Sequence, residues 1–132
     1  MILIICLDDK NGISFADRRQ SRDKLQIERM LEKVGNAKLY ISEYSAPLFG
    51  ALPQNVVISS SPLDDAVDGD YCFVEREEVM EADFEEIIIY RWHRVYPSDI
   101  KFDMNLLNSK EKVSSFEFKG NSHEKITEEI YR

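Results

Sequence analysis

Few side chains in this sequence can carry chemistry, and they fall into small groups. Asp23 lies in Ser21-Arg22-Asp23-Lys24-Leu25, at the start of a stretch with helical spacing. A carboxyl group in an enclosed cleft can donate or accept a proton, which makes Asp23 a candidate general acid. An acid in a first helical turn is equally what the helix dipole favours, with no chemistry attached. Beside it are Arg18, Arg19 and Arg22, whose guanidinium forks suit carboxylate or phosphate. The same arginines could form a basic loop that balances acids elsewhere. Arg91 and His93 stand two apart in a strand-like run, so their side chains share a face. They could hold an anion near a strand's C-terminal end, where open α/β sheets bind ligands, or emerge into solvent with Arg91 paired to an acid. Tyr44, Trp92 and Tyr96 could line the same cleft.

His123 sits in Asn121-Ser122-His123-Glu124-Lys125. Ser122, His123 and Glu124 are the residue types of a hydrolase triad, but adjacent residues do not converge, so His123 reads as a turn residue or a surface binding contact. GxxxxGK[ST], GxSxG and HExxH are all missing. Two histidines and two cysteines, Cys6 and Cys72, without CxxC spacing, supply no metal ligand set.

The elements that must position these groups follow from periodicity. Met1–Leu7 reads as a buried strand ended by Asp8-Asp9-Lys10-Asn11-Gly12. Ser21 can cap a helix running through Lys33, with Ile27, Met30, Leu31 and Val34 on one face and Gly35-Asn36 as its stop. Residues 38–42, 55–59 and 71–74 are strands, and Tyr44–Phe49 is a short helical turn around Pro47. Glu77–Asp83 can form a short acidic helix. Glu86–Tyr96 is a strand with Ile87, Ile89, Arg91, His93 and Val95 on one face. Lys112–Lys119 and Ile126–Tyr131 close the sheet as a pair. Helices between early strands and strands dominating later imply an α/β class with a mixed sheet, one domain over 1–132.

Composition agrees. The 132 residues are 43% apolar and 32% charged with net charge −8. Eleven acids between Asp64 and Glu86 face one base, Arg76, so that stretch carries −10 and the remainder +2. This disfavours nucleic acid as a partner, and the acidic stretch is either a solvated face or a patch for a basic partner. No apolar run approaches the roughly 20 residues of a membrane span. The two cysteines in apolar runs fit a cytoplasmic protein.

In this order the chain resembles a shortened dihydrofolate reductase. Ile2–Ile13 resembles that family's first strand and substrate loop. Leu52-Pro53-Gln54-Asn55 followed by Val56–Ser59 resembles its Leu-Pro-Gly-Arg turn and strand. Ile87–Phe102, with Ser98-Asp99-Ile100-Lys101-Phe102, resembles its late strand and Gly-Asp-Thr-Phe-Phe segment, and Phe116–Phe118 with Ile126–Arg132 its final hairpin. The resemblance implies a mixed sheet flanked by a few helices, with Asp23 at the position of the acid that meets the pterin ring. The family's threonine partner to that acid corresponds to Ile100, its tail-binding arginine to Asn55, and its phosphate-gripping Gly-Arg-Lys-Thr to Ser42–Ser45. Its Gly-Gly beside the pyrophosphate corresponds to Glu75-Arg76, where side chains and carboxylates would repel phosphate. About one strand and one helix look deleted between Ser61 and Asp70.

The expected function is therefore a non-catalytic binding module without a nicotinamide cofactor. It recognises a small anionic ligand or a protein partner through Arg18, Arg19, Arg22, Tyr44, Arg91, His93 and His123. The alternatives are an enzyme that keeps the cleft with Asp23 as general acid, and an acidic interaction protein working through residues 64–86. A homodimer through Tyr71–Val74 as an edge strand is a further expectation.

Overall fold

The computed structural model describes residues 1–80 and 82–132. At its centre lies β1 (Ile2–Leu7), flanked in parallel by β6 (Tyr71–Val74) and β7 (Glu86–Arg91). Outward from β6 come β4 (Leu39–Ile41) and the edge strand β5 (Val56–Ile58), both parallel. Outward from β7 come β10 (Ile126–Tyr131) and the edge strand β9 (Lys112–Phe118), joined as an antiparallel hairpin. Among the described residues this makes a seven-stranded sheet, β5-β4-β6-β1-β7-β10-β9.

A strand covered on both faces must be apolar on both, and β1 is. Leu3, Ile5 and Leu7 join Cys72, Val74, Ile87 and Ile89 in one core. Ile4 joins Phe73, Ile88, Tyr90 and Trp92 in the other. The second core is roofed by α1 (Lys24–Val34), which turns Ile27, Met30 and Val34 inward and stops at Gly35, φ 58°. The first core is closed by Val79, Phe84, Phe102 and partly buried residues such as Leu63 and Leu107 from short turns.

A second small sheet, β3-β2-β8, joins β2 (Gly12–Phe15), β3 (Arg18–Arg19) and β8 (Ile100–Lys101). It lies in segments that the sequence reading does not assign as strands. Its hairpin turns on Ala16 and Asp17, both at positive φ (50° and 59°) without a glycine, so the usual Asn-Gly signal is missing.

Several expectations change. Tyr71–Val74 is a strand, but it lies between β4 and β1 and cannot pair a second chain; β5 and β9 are the edges. The helix expected over 77–83 is replaced by bends and irregular backbone at its described positions, and Glu81 lies outside the described residues. Within it only Val79 is a buried apolar residue, Met80 is exposed, and the next buried one, Phe84, follows five residues on, off helical spacing. The Glu77 carboxylate instead accepts the backbone N–H groups of Glu75 and Arg76. The strand begun at Glu86 ends at Arg91, and His93 takes φ 58°. The interval from Ser61 to Asp70 holds the four-residue helix α2 (Pro62–Asp65).

One buried acid pins α1 to the sheet. Glu128 of β10, 1% exposed, accepts a bidentate pair from Arg29 at 3.0 and 3.1 Å and the Tyr90 hydroxyl at 2.8 Å, with Lys33 at 3.6 Å. Burial alone would raise its carboxyl, but the Arg29 and Tyr90 hydrogen bonds outweigh that and hold it below the ordinary value. A carboxylate whose folded pKa is depressed contributes stability that is complete above its unfolded pKa and is lost as pH falls towards the folded one. Glu128→Gln is expected to cost about 2 kcal/mol at pH 7 by denaturant unfolding, and the gap between it and the parent should narrow below about pH 4.5.

Candidate functional site

The site grows from the N-terminus of α1. Asp23, not Ser21, is its cap: the backbone there is extended (φ −151°, ψ 125°) and the carboxylate accepts the N–H groups of Leu25 (3.0 Å) and Gln26 (3.2 Å). The same carboxylate reaches the turn between β9 and β10, where it accepts the N–H groups of Asn121 (2.9 Å) and Ser122 (2.8 Å). Gly120 makes this approach possible, because a β-carbon there would run into the Asp23 carboxylate and Ile126. Burial would raise the Asp23 carboxyl, but hydrogen bonds from Asn121, His123, Ser122 and Gln26 outweigh it and keep the group far below the usual carboxylate range. A proton donor at neutral pH needs the opposite shift.

His123 is brought to this carboxylate from a hundred residues away. Its ring is buried and stacks on Trp92, centroids 4.5 Å apart and planes 19° off parallel. Nδ1 lies 3.0 Å from Asp23 Oδ2, and Nε2 lies 3.0 Å from Ser21 Oγ and 3.3 Å from the Tyr96 hydroxyl. An ionised carboxylate only accepts, so in the neutral ring the proton sits on Nδ1 and Nε2 is an acceptor facing Ser21. The Ser122 hydroxyl donates to the Arg22 carbonyl at 2.9 Å and lies 3.2 Å from both Asp23 Oδ2 and His123 Nδ1, the nitrogen that carries the proton, and Glu124 is exposed, so Ser122, His123 and Glu124 form no triad.

Ser21 lines a cavity of about 710 Å³ between the start of α1, the 3₁₀ turn Ala46–Phe49 and the 121–122 turn. Arg22, Lys24, Ile27, Pro47 and Leu48 share its wall. A recess of about 10 Å³ adjoins, lined by Ser21, Gln26, Cys6 and Trp92 among others. The Gln26 side-chain amide, 1% exposed, has no acceptor among the described residues, and Gln20 Oε1 has no donor.

The arginines divide. Arg19 is bidentate to the buried Glu75 at 2.7 and 3.0 Å, and its guanidinium lies 4.3 Å over the Tyr44 ring. The Arg76 guanidinium lies 3.9 Å from the centre of the same ring, and the Tyr44 hydroxyl accepts the Arg19 backbone N–H. Glu75 also accepts the Ser45 hydroxyl at 2.7 Å. Arg18 is exposed in a separate depression with Phe15 and Tyr96. Arg91 is taken by Glu129 (3.0 Å) and Asn11 (2.8 Å), and His93 by Thr127 (2.6 Å). Those two share a side of β10 but not the α1 cavity. Arg22 and Lys24 line the cavity with no carboxylate partner among the described residues.

Of the acids in 64–86, Glu75 is buried on Arg19 and Glu85 holds the N-terminal amine at 2.8 Å, while Asp64, Asp65, Asp68, Glu78 and Asp83 are exposed. Among the described residues no group of three or more His, Cys, Asp or Glu could hold a metal ion, and no helix is long and apolar enough to cross a membrane.

Reading residues singly missed Ser21, taken only for a helix cap. The available signal was the spacing Ser21-x-Asp23: with Asp23 as cap, the serine two residues earlier falls outside the helix.

No family model matches the chain, and no curated protein does. Among solved structures the chain is similar to a dihydrofolate reductase from Enterococcus faecalis, solved in complex with NADP(H) and RAB-propyl. The TM-score is 0.63 at 14% identity, covering 99% of this chain and 94% of that one. The strand order, the roofing helix and this likeness together give the chain a dihydrofolate reductase-like α/β fold.

Proposed function

We propose that this chain binds a small anionic ligand in the cavity at the N-terminus of α1, and does so without a nicotinamide dinucleotide. The observation that carries the reading is the cavity itself: about 710 Å³, lined by apolar Ile27, Pro47 and Leu48 together with Arg22 and Lys24, cations without a carboxylate partner among the described residues. That volume suits a small molecule, and these two cations favour a carboxylate or phosphate on it. Arg19 and Arg91 are left out of the ligand set, because Glu75 and Glu129 already saturate them.

The residues after β6 do not fit the dinucleotide that the fold family uses. Anion sites there need open backbone N–H groups. The N–H groups of Glu75 and Arg76 are already accepted by the Glu77 carboxylate at 3.3 and 3.1 Å. The Glu75 side chain is buried there, its carboxylate paired with Arg19. Nor does the reading use Asp23 as a proton donor, since its neighbours hold it ionised. A cytoplasmic setting is supported by two unpaired cysteines, with burial pushing the Cys72 thiol up to about 12.

Thermal-shift titration with inorganic phosphate and with succinate tests the site. At least one should stabilise the protein in a saturable way, and Arg22→Ala or Lys24→Ala should each weaken that binding about tenfold. Binding that both variants leave unchanged would overturn the assignment. NADPH should give no shift up to millimolar concentration, whereas a saturable NADPH shift would contradict the reading of Glu75 and Glu77.

A further inference from the structure

We propose that Ser21, His123 and Asp23 form a hydrolytic triad, with Ser21 as the nucleophile toward small esters that carry an anionic group. The order of contacts is Ser21 Oγ to His123 Nε2 at 3.0 Å, then His123 Nδ1 to Asp23 Oδ2 at 3.0 Å. That is the nucleophile–base–orienter arrangement, which is recognised by geometry and roles rather than by position in the chain. The three residues come from two segments a hundred residues apart.

A buried imidazole can also bond a serine only to satisfy itself, and two observations go beyond that. First, Ser21 is half-buried and stands on the wall of the large cavity, so a substrate can reach its oxygen. Second, the adjoining recess is lined by both Ser21 and Gln26, and the Gln26 amide is buried without an acceptor among the described residues. The recess is about one oxygen in size, and its orphaned N–H donor suits a carbonyl oxygen that gains charge during acyl transfer. His123 is held by the Trp92 stack, and Asp23 stays ionised because its hydrogen bonds outweigh its burial, as an orienting acid must. The Tyr96 hydroxyl, 3.3 Å from Nε2, can hold the ring once Ser21 is acylated.

The chemistry balances with water as the only co-reactant. Ser21 Oγ attacks the ester carbonyl carbon while its proton passes to His123 Nε2. The carbon–alkoxy bond breaks, the alcohol leaves with that proton, and an acyl ester remains on Ser21. Water then attacks the acyl carbon and gives a proton to Nε2, which returns it to Ser21 Oγ as the acid departs. The preference for an anionic ester rests on the binding reading above, through Arg22 and Lys24; the nucleophile assignment does not.

The test treats the full chain with diisopropyl fluorophosphate and maps the adduct by mass spectrometry. One phosphoryl adduct on Ser21 is expected, lost in Ser21→Ala. Turnover of 4-nitrophenyl acetate should fall at least about 100-fold in Ser21→Ala, with circular dichroism unchanged, and remain intact in Ser109→Ala. Gln26→Leu should slow acylation by a similar factor, and an unchanged rate would remove the carbonyl-binding role from Gln26. Absence of an adduct on Ser21, or equal turnover by Ser21→Ala, would overturn the triad. The hemisuccinate ester of 4-nitrophenol should be preferred over the acetate, and Arg22→Ala should abolish that preference. Labelling of Ser21 with no such preference would leave the triad standing and overturn the anionic substrate class.

Discussion

Everything at the functional end of this molecule hangs on one carboxylate. Asp23 closes the first turn of α1 through Oδ1 and, through Oδ1 and Oδ2, fastens that turn to the loop between β9 and β10. The helix that roofs one core and the hairpin that ends the sheet are thus joined at a single buried charge. Hydrogen bonds from four backbone N–H groups and a histidine compensate its desolvation, which is what a buried ion requires. The cost is that the group is no proton reservoir. The benefit is a fixed acceptor that dictates which nitrogen of His123 carries hydrogen.

The distribution of positive charge follows the same logic. The chain has few cations for its acids, and three of its eight arginines are held on buried acids: Arg19 on Glu75, Arg29 on Glu128, Arg91 on Glu129. Each of these acids is buried and comes from a different element than its arginine, so the pairs act as cross-links within a mixed sheet. Arg22 and Lys24 have no carboxylate partner among the described residues, and Asp23, the acid between them, is occupied by backbone and imidazole donors. The anion site proposed at this position rests on that arrangement.

Much of the fold could be read from periodicity. Alternation through Glu86–Arg91 and the apolar run Ile2–Leu7 identify two central strands, and Ile27, Met30 and Val34 identify the inward face of α1. The reading failed where local conformation is imposed by distant contacts. The β2–β3 hairpin turns on an alanine and an aspartate, and the strand beyond Arg91 breaks at a histidine with positive φ; neither carries the glycine that would have signalled it. The site was legible only in parts. Asp23, Arg22 and His123 stood out by residue type, but Ser21 did not. Its partner lies a hundred residues away, and no local pattern encodes a contact that the sheet alone brings about. Arg91 and His93, which looked poised for a ligand, are occupied by Glu129 and Thr127 on the neighbouring strand.

The central claim is that Asp23 sets the hydrogen-bonding sense of His123 and thereby aims an acceptor at Ser21. Long-range ¹H–¹⁵N correlation NMR on the ¹⁵N-labelled protein, at a pH where the ring is neutral, reads this directly. The account predicts that the His123 proton resides on Nδ1, with an unprotonated Nε2. A neutral ring protonated on Nε2 would contradict it, because that nitrogen could not then accept the Ser21 hydroxyl.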